Sequence, residues 1–207
     1  MLKSIIWLRL NHSAPPFASQ GVSSDLLPKI PPKYLDCKPF SDGLAAVKGD
    51  RDKWGYIDQN GHEAISAKYD FAGQFSERAA LVNIGWVANR GNFSDVTGRW
   101  GFIDKTGEVI VEIKYDLAAA FAEGRAAVSL IRQADTYDSN LSEDDNKRYQ
   151  LQKVNTYREY GYVDKSGQEI IPLKYSVAGN FINGFSEVIF NRRKFYIDKA
   201  GTEYFEP

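Results

Sequence analysis

A five-residue phrase returns along this chain, always at the same distance from a glycine. Trp54-Gly55-Tyr56-Ile57-Asp58, Trp100-Gly101-Phe102-Ile103-Asp104 and Tyr160-Gly161-Tyr162-Val163-Asp164 agree position by position, and Gly61, Gly107 and Gly167 follow at one offset. A degenerate copy, Lys194-Phe195-Tyr196-Ile197-Asp198, closes on Gly201. A second block recurs as Ile30-Pro31-Pro32-Lys33-Tyr34, Ile65-Ser66-Ala67-Lys68-Tyr69, Val111-Glu112-Ile113-Lys114-Tyr115 and Ile171-Pro172-Leu173-Lys174-Tyr175. Six residues past each tyrosine stands Phe40, Phe75, Phe121 or Phe181, and seven further on stands Val47, Val82, Val128 or Val188. A chain with this self-similarity folds as an array of like units.

The residue types make each unit β. In Trp54 to Asp58, aromatic and β-branched residues favour a strand, with Trp54 and Tyr56 on one face and Gly55 and Ile57 on the other. The glycine leaves a gap that admits a neighbouring aromatic or another backbone. Asp58-Gln59-Asn60-Gly61, Asp104-Lys105-Thr106-Gly107, Asp164-Lys165-Ser166-Gly167 and Asp198-Lys199-Ala200-Gly201 read as type I turns, Asp accepting from backbone N–H groups and Gly taking the positive φ of a G1 bulge. The run from each Phe to each Val, as in Phe40-Ser41-Asp42-Gly43-Leu44-Ala45-Ala46-Val47, turns and then alternates, which adds a third strand. Three short strands cannot bury their apolar face alone, so units must stack. The expected fold is all-β, about four tandem hairpin units stacked like a solenoid. A small propeller is the alternative, disfavoured because a propeller blade has four strands.

The pattern resembles the WG-repeat family, also called KWG repeats, from Ile30 to the C-terminus. The resemblance implies an all-β repeat protein, often bacterial and usually an interaction module, and brings no catalytic residues with it. The third copy departs from the pattern with Tyr160, and the fourth with Lys194 and Phe195, which leaves open whether that unit is a repeat or a cap. Residues 1–28, with their Ser-, Pro-, Gln- and Gly-rich stretch, read as a flexible lead-in, and 29–207 as the repeat domain.

Charge and composition narrow the function. Lys and Arg number 26 against 27 Asp and Glu, so no net field draws nucleic acid. One cysteine, Cys37, and two histidines, His12 and His62, are too few for a disulfide or a His/Cys zinc site. Cys37 reads as a small packed residue. No cofactor or metal is expected, and no stretch approaches the roughly 20 apolar residues of a membrane helix. The apolar run from Ser4 to Leu10, interrupted by Arg9, is a poor secretory core. The reading leans to the cytoplasm and leaves a signal-like segment open.

Recurrence also argues against catalysis. Asp58, Asp104, Asp164 and Asp198 sit where a turn wants Asp. His62 takes a hairpin position filled elsewhere by Glu108, Gln168 and Thr202. Lys33, Lys68, Lys114 and Lys174 are read as covering tyrosines or facing water. Trp54 and Trp100 are read as structural.

Length varies in one connection only. Six residues separate Val47 from Trp54, 17 separate Val82 from Trp100, 31 separate Val128 from Tyr160, and five separate Val188 from Lys194. The insertions at 83–99 and 129–159 should therefore project from one edge, where Trp86, Phe93, Arg132, Arg148 and Arg158 are candidate partner-binding residues. The expected function is a non-catalytic module for protein–protein interaction or scaffolding. A glycan or cell-envelope ligand module stands second, and an enzyme third.

Overall fold

The computed structural model describes residues 33–85, 98–133 and 156–205, and among them the regular elements are all strands. The first sheet comprises β1 (Asp36–Cys37), β2 (Leu44–Lys48), β3 (Trp54–Asp58) and β4 (Glu63–Tyr69). The second comprises β5 (Phe71–Ser76), β6 (Ala79–Ile84), β7 (Arg99–Ile103) and β8 (Val109–Tyr115). The third comprises β9 (Leu117–Ala118), β10 (Ala126–Gln133), β11 (Thr156–Val163) and β12 (Glu169–Tyr175), and the fourth β13 (Val177–Ala178), β14 (Phe185–Phe190), β15 (Arg193–Asp198) and β16 (Glu203–Tyr204). Each sheet is an antiparallel meander in chain order.

Each sheet thus has four strands where the sequence suggested three per unit. The additional strand lies between the tyrosine and phenylalanine positions and is only two residues long in the first, third and fourth sheets, too short to show an alternating pattern. Strand number therefore does not distinguish a stack from a propeller. The joints do: among the described residues, hydrogen bonds, ion pairs and core clusters between sheets join consecutive sheets. The array is a stack in which each sheet packs on the next.

A single residue turns the chain from one sheet into another. Asp70 stands between β4 and β5, Asp116 between β8 and β9, and Ser176 between β12 and β13. Both acids brace their corners: Asp70 accepts from the Gly85 N–H at 2.7 Å and pairs with Lys53, and Asp116 accepts from the Ile131 N–H at 2.7 Å and pairs with Arg99. Burial opposes the Asp70 charge, but the Lys53 ammonium and the Gly85 N–H hold its carboxyl below the usual range.

Alternation then builds the stacking faces. Tyr56, Phe102 and Tyr162 are fully buried, and each packs its ring on the phenylalanine of the following sheet, Phe75, Phe121 or Phe181, at centroid distances of 4.9, 4.6 and 4.9 Å. Burial of each such ring contributes about 1.5–3 kcal/mol. Their polar tips are also placed, Tyr56 donating to the Gly73 carbonyl at 2.7 Å and Tyr162 to the Gly179 carbonyl at 3.0 Å. Burial pushes the Tyr162 hydroxyl up to about 12.

The gap at the Trp-Gly glycine is filled by backbone. β4 carries extra residues opposite Gly55, since Trp54 pairs with Tyr69 while Tyr56 pairs with Ile65. A Cβ on Gly55 would lie 2.5 Å from the Ile65 carbonyl oxygen and 2.7 Å from the Ala67 nitrogen. The fourth copy can hold Phe195 at this place because its return strand, β16, ends before any such bulge. Phe195 instead joins the core shared by the third and fourth sheets.

Candidate functional site

The hairpin joining the first two strands of each sheet is a two-residue turn with positive φ at both positions: Asp42-Gly43, Glu77-Arg78, Glu123-Gly124 and Asn183-Gly184. This is the type I′ geometry that suits strand twist. The acids reach forward. Asp42 accepts from the Arg78 N–H at 2.9 Å, Glu77 from the Gly124 N–H at 2.8 Å, and Glu123 from the Gly184 N–H at 2.9 Å. Lys165 lies 3.1 Å from Glu77 and Lys199 2.9 Å from Glu123. The result is a ladder of carboxylates stitching each sheet to the next, and among the described residues it ends on the neutral Asn183.

Other recurring polar residues are equally committed. Oδ1 of Asp58, Asp104, Asp164 and Asp198 accepts from the N–H groups two and four residues ahead in each turn. These bonds hold the carboxyls below the usual range, led by the His62 N–H at Asp58 and the Thr106 hydroxyl at Asp104. The ammonium groups of Lys33, Lys68, Lys114 and Lys174 lie 5.1 to 5.7 Å from the rings of the adjacent tyrosines. His62 is exposed, 3.4 Å from Asp58. Among the described residues no three His, Cys, Asp or Glu side chains are grouped to hold a metal ion, and no helix is long and apolar enough to cross a membrane. Cys37 packs with Tyr34 and Phe40 against Ala45, Val47 and Ile57, and burial raises its thiol pKa. Trp54 and Trp100 are buried.

Both insertions leave from the same connection, between the second and third strands of the second and third sheets. Trp86, Phe93 and Arg148 lie outside the described residues. Arg132 and Arg158 do not converge: Arg132 pairs in register with Tyr157, and Arg158 with Ile131, so the two guanidinium groups belong to opposite faces of the β10–β11 hairpin. Arg132 is bound to Glu159 at 3.1 Å. Ile131 and Tyr157 are exposed on this hairpin, which runs four register pairs past the Ser129–Tyr160 pair.

At the base of that hairpin is a feature the repeat conceals. One residue per strand lines up across each sheet: Phe71, Asn83, Trp100 and Tyr115 in the second, and Leu117, Ser129, Tyr160 and Tyr175 in the third. In the second sheet the Phe71 and Trp100 rings pack 5.3 Å apart. In the third, both positions carry smaller side chains, and a half-open apolar cleft of about 270 Å³ lies beside Tyr160, Leu117 and Ala127, walled on the fourth sheet by Val177 and Ala178. Ser129, fully buried between Leu117 and Tyr160, makes no hydrogen bond through its hydroxyl. The signal was present in the sequence as Tyr160 in place of Trp, but its partner change, Phe71 to Leu117, falls in the short strand that pattern reading missed.

A family model for the WG-containing repeat matches residues 28–53, 54–85, 100–130 and 160–191, together more than half of the chain. The chain belongs to the WG-repeat family. Each of the last three WG repeats runs from the third strand of one sheet through the second strand of the next, so every internal sheet joins halves of two repeats. The fourth sheet completes itself with β15 and β16, beyond the last matched WG repeat. A search of curated proteins found no match.

Proposed function

We propose that this chain is a non-catalytic scaffold that binds another protein along the edge formed by its inserted connections. The observation that carries this reading is the β10–β11 hairpin, prolonged beyond the sheet with Ile131 and Tyr157 exposed at 42% and 48%, at the connection where the second sheet also carries an insertion. Large apolar side chains held out on a rigid ribbon are costly in water and favourable in an interface. The reactive side chains that recur are engaged in turns and joints, which leaves them poorly placed for chemistry. Burial of Trp54 and Trp100 likewise favours a packing role for the repeat tryptophans over sugar stacking.

The test is capture of partners by the whole chain and by a variant in which residues 86–97 and 134–155 are each replaced by an Asn-Gly turn and the exposed Ile131 and Tyr157 are both changed to Thr. The cuts fall outside β6, β7, β10 and β11, so the sheets keep their pairing. Loss of capture with an unchanged melting temperature is the expected result. Undiminished capture would exclude the insertion edge.

A further inference from the structure

We propose that the cleft between the third and fourth sheets receives an aromatic side chain carried on an acidic segment of a partner polypeptide. This rests on the reading of the chain as a protein-binding module and specifies what one part of its surface recognises. The shape argument is internal to the molecule. In the second sheet the corresponding space is closed from within by Phe71 against Trp100. In the third sheet Leu117 and Tyr160 occupy those register positions, and the facing strand of the fourth sheet contributes only Val177 and Ala178. What the chain lacks there, relative to its own preceding unit, is an aromatic ring. The cleft, about 270 Å³, has room for one, since an apolar cavity of roughly 150 Å³ accepts benzene. Tyr160 in its wall offers a ring for edge-to-face packing.

The charge argument concerns the rim. Arg158 lies two residues before Tyr160 on β11 and so on the same face. Among the described residues no carboxylate pairs with it, whereas Arg132 on the opposite face is held by Glu159. Among the described residues, Asp116, next to Leu117, is paired with Arg99, and Lys174 with Glu203 at 2.9 Å. The corner between the third and fourth sheets carries Ser176 where the two earlier corners carry aspartates, so no acid at that corner repels an incoming one. Arg158 therefore selects a carboxylate beside the inserted ring.

The probe is the peptide acetyl-Glu-Phe-Glu-amide, titrated against the ¹⁵N-labelled full chain, with an alanine-centred peptide and a lysine-flanked peptide as controls. Saturable amide shifts centred on Leu117, Ala119, Ala127 and Ala178 are expected, with millimolar affinity. They should vanish for the alanine-centred peptide and weaken by about tenfold for the lysine-flanked one. Leu117→Phe, which restores the second sheet's pairing, should abolish binding without lowering the melting temperature, and Arg158→Glu should reverse the charge preference. Equal shifts from the alanine-centred peptide, shifts centred elsewhere, absence of binding, or binding unaffected by Leu117→Phe would each overturn the proposal. The two readings fail separately. Partner capture that persists when the peptide does not bind removes the cleft assignment alone, and peptide binding at the cleft without any protein capture removes the scaffold reading alone.

Discussion

A methyl group added at Gly101 would lie 2.6 Å from the carbonyl oxygen of Val111 and 2.7 Å from the Cα of Ile113, backbone atoms that no change of rotamer moves aside. Gly101→Ala is therefore expected to destabilise the chain by about 1–3 kcal/mol, the usual range for overpacking, read as a lower midpoint in urea. Trp100, beside it, is buried in the core of the second and third sheets. Trp100→Ala removes its transfer energy and opens a cavity, about 3–5 kcal/mol against a typical total of about 5–15 kcal/mol. A marked fall in melting temperature is expected, and an unchanged one together with loss of partner binding would show the tryptophan to be functional rather than structural. The sequence already showed that a glycine here must make room, because a small residue recurs between large ones. It did not show that the occupant is the return strand of the same sheet, because the bulge adds residues to β4 and β8 and breaks the period that reveals strands. Tyr160 was likewise visible as an exception, while the cleft beside it needed the register of four strands to be known.

Between elements, the joints depend on carboxylates that the repeat pattern marked only as turn residues. Burial opposes charge at Glu77, but the Lys165 ammonium and the Gly124 N–H outweigh it and hold the carboxyl below its usual range; at Glu123 the Lys199 ammonium leads, with the Gly184 N–H. A carboxyl depressed in the folded state is charged at a pH where the unfolded chain already binds a proton. Its contribution is thus fully present above the unfolded value, about 4.3 for Glu, and is lost as pH falls through the folded value. The melting temperature should accordingly drop on acidification below about pH 5. In a Glu77→Gln, Glu123→Gln double variant it should start slightly lower at neutral pH and fall less steeply, the remaining slope coming from Asp70 and the turn aspartates. Since these ion pairs are partly exposed, each is a small term. An acid slope identical to that of the parent chain would mean that the ladder is geometric only. Sequence spacing gave the positions of these acids in each turn, but which N–H each one meets depends on how neighbouring sheets stack.

Across the whole molecule, the offset between repeat and sheet sets what the fourth sheet is made of. Because each of the last three matched WG repeats supplies the last half of one sheet and the first half of the next, the repeat at 160–191 leaves half a sheet that β15 and β16 complete. That sheet has a repeat's rear face and a different outer face. Ser186, Val188, Phe195 and Ile197 pack back onto the third sheet. On the other side Tyr196 is 37% exposed where Tyr56, Phe102 and Tyr162 are 0% exposed. Glu187 and Lys194, 2.7 Å apart, stand where the earlier copies place Ala46, Leu81 or Ala127 and Trp54, Trp100 or Tyr160. The fourth copy forms a complete four-stranded sheet, and its ion pair is expected to make a further stacked sheet unfavourable through desolvation. Replacing both residues with their counterparts, Glu187→Ala with Lys194→Trp, should turn this outer face into a stacking face already edged by Phe185 and Tyr204, whose rings lie 5.4 Å apart. Sedimentation of the double variant should show association that rises with concentration beyond that of the parent chain, while the first three sheets keep their hydrogen-exchange protection. If it sediments as the parent does, with the fold intact, the ion pair is not what keeps this face from stacking.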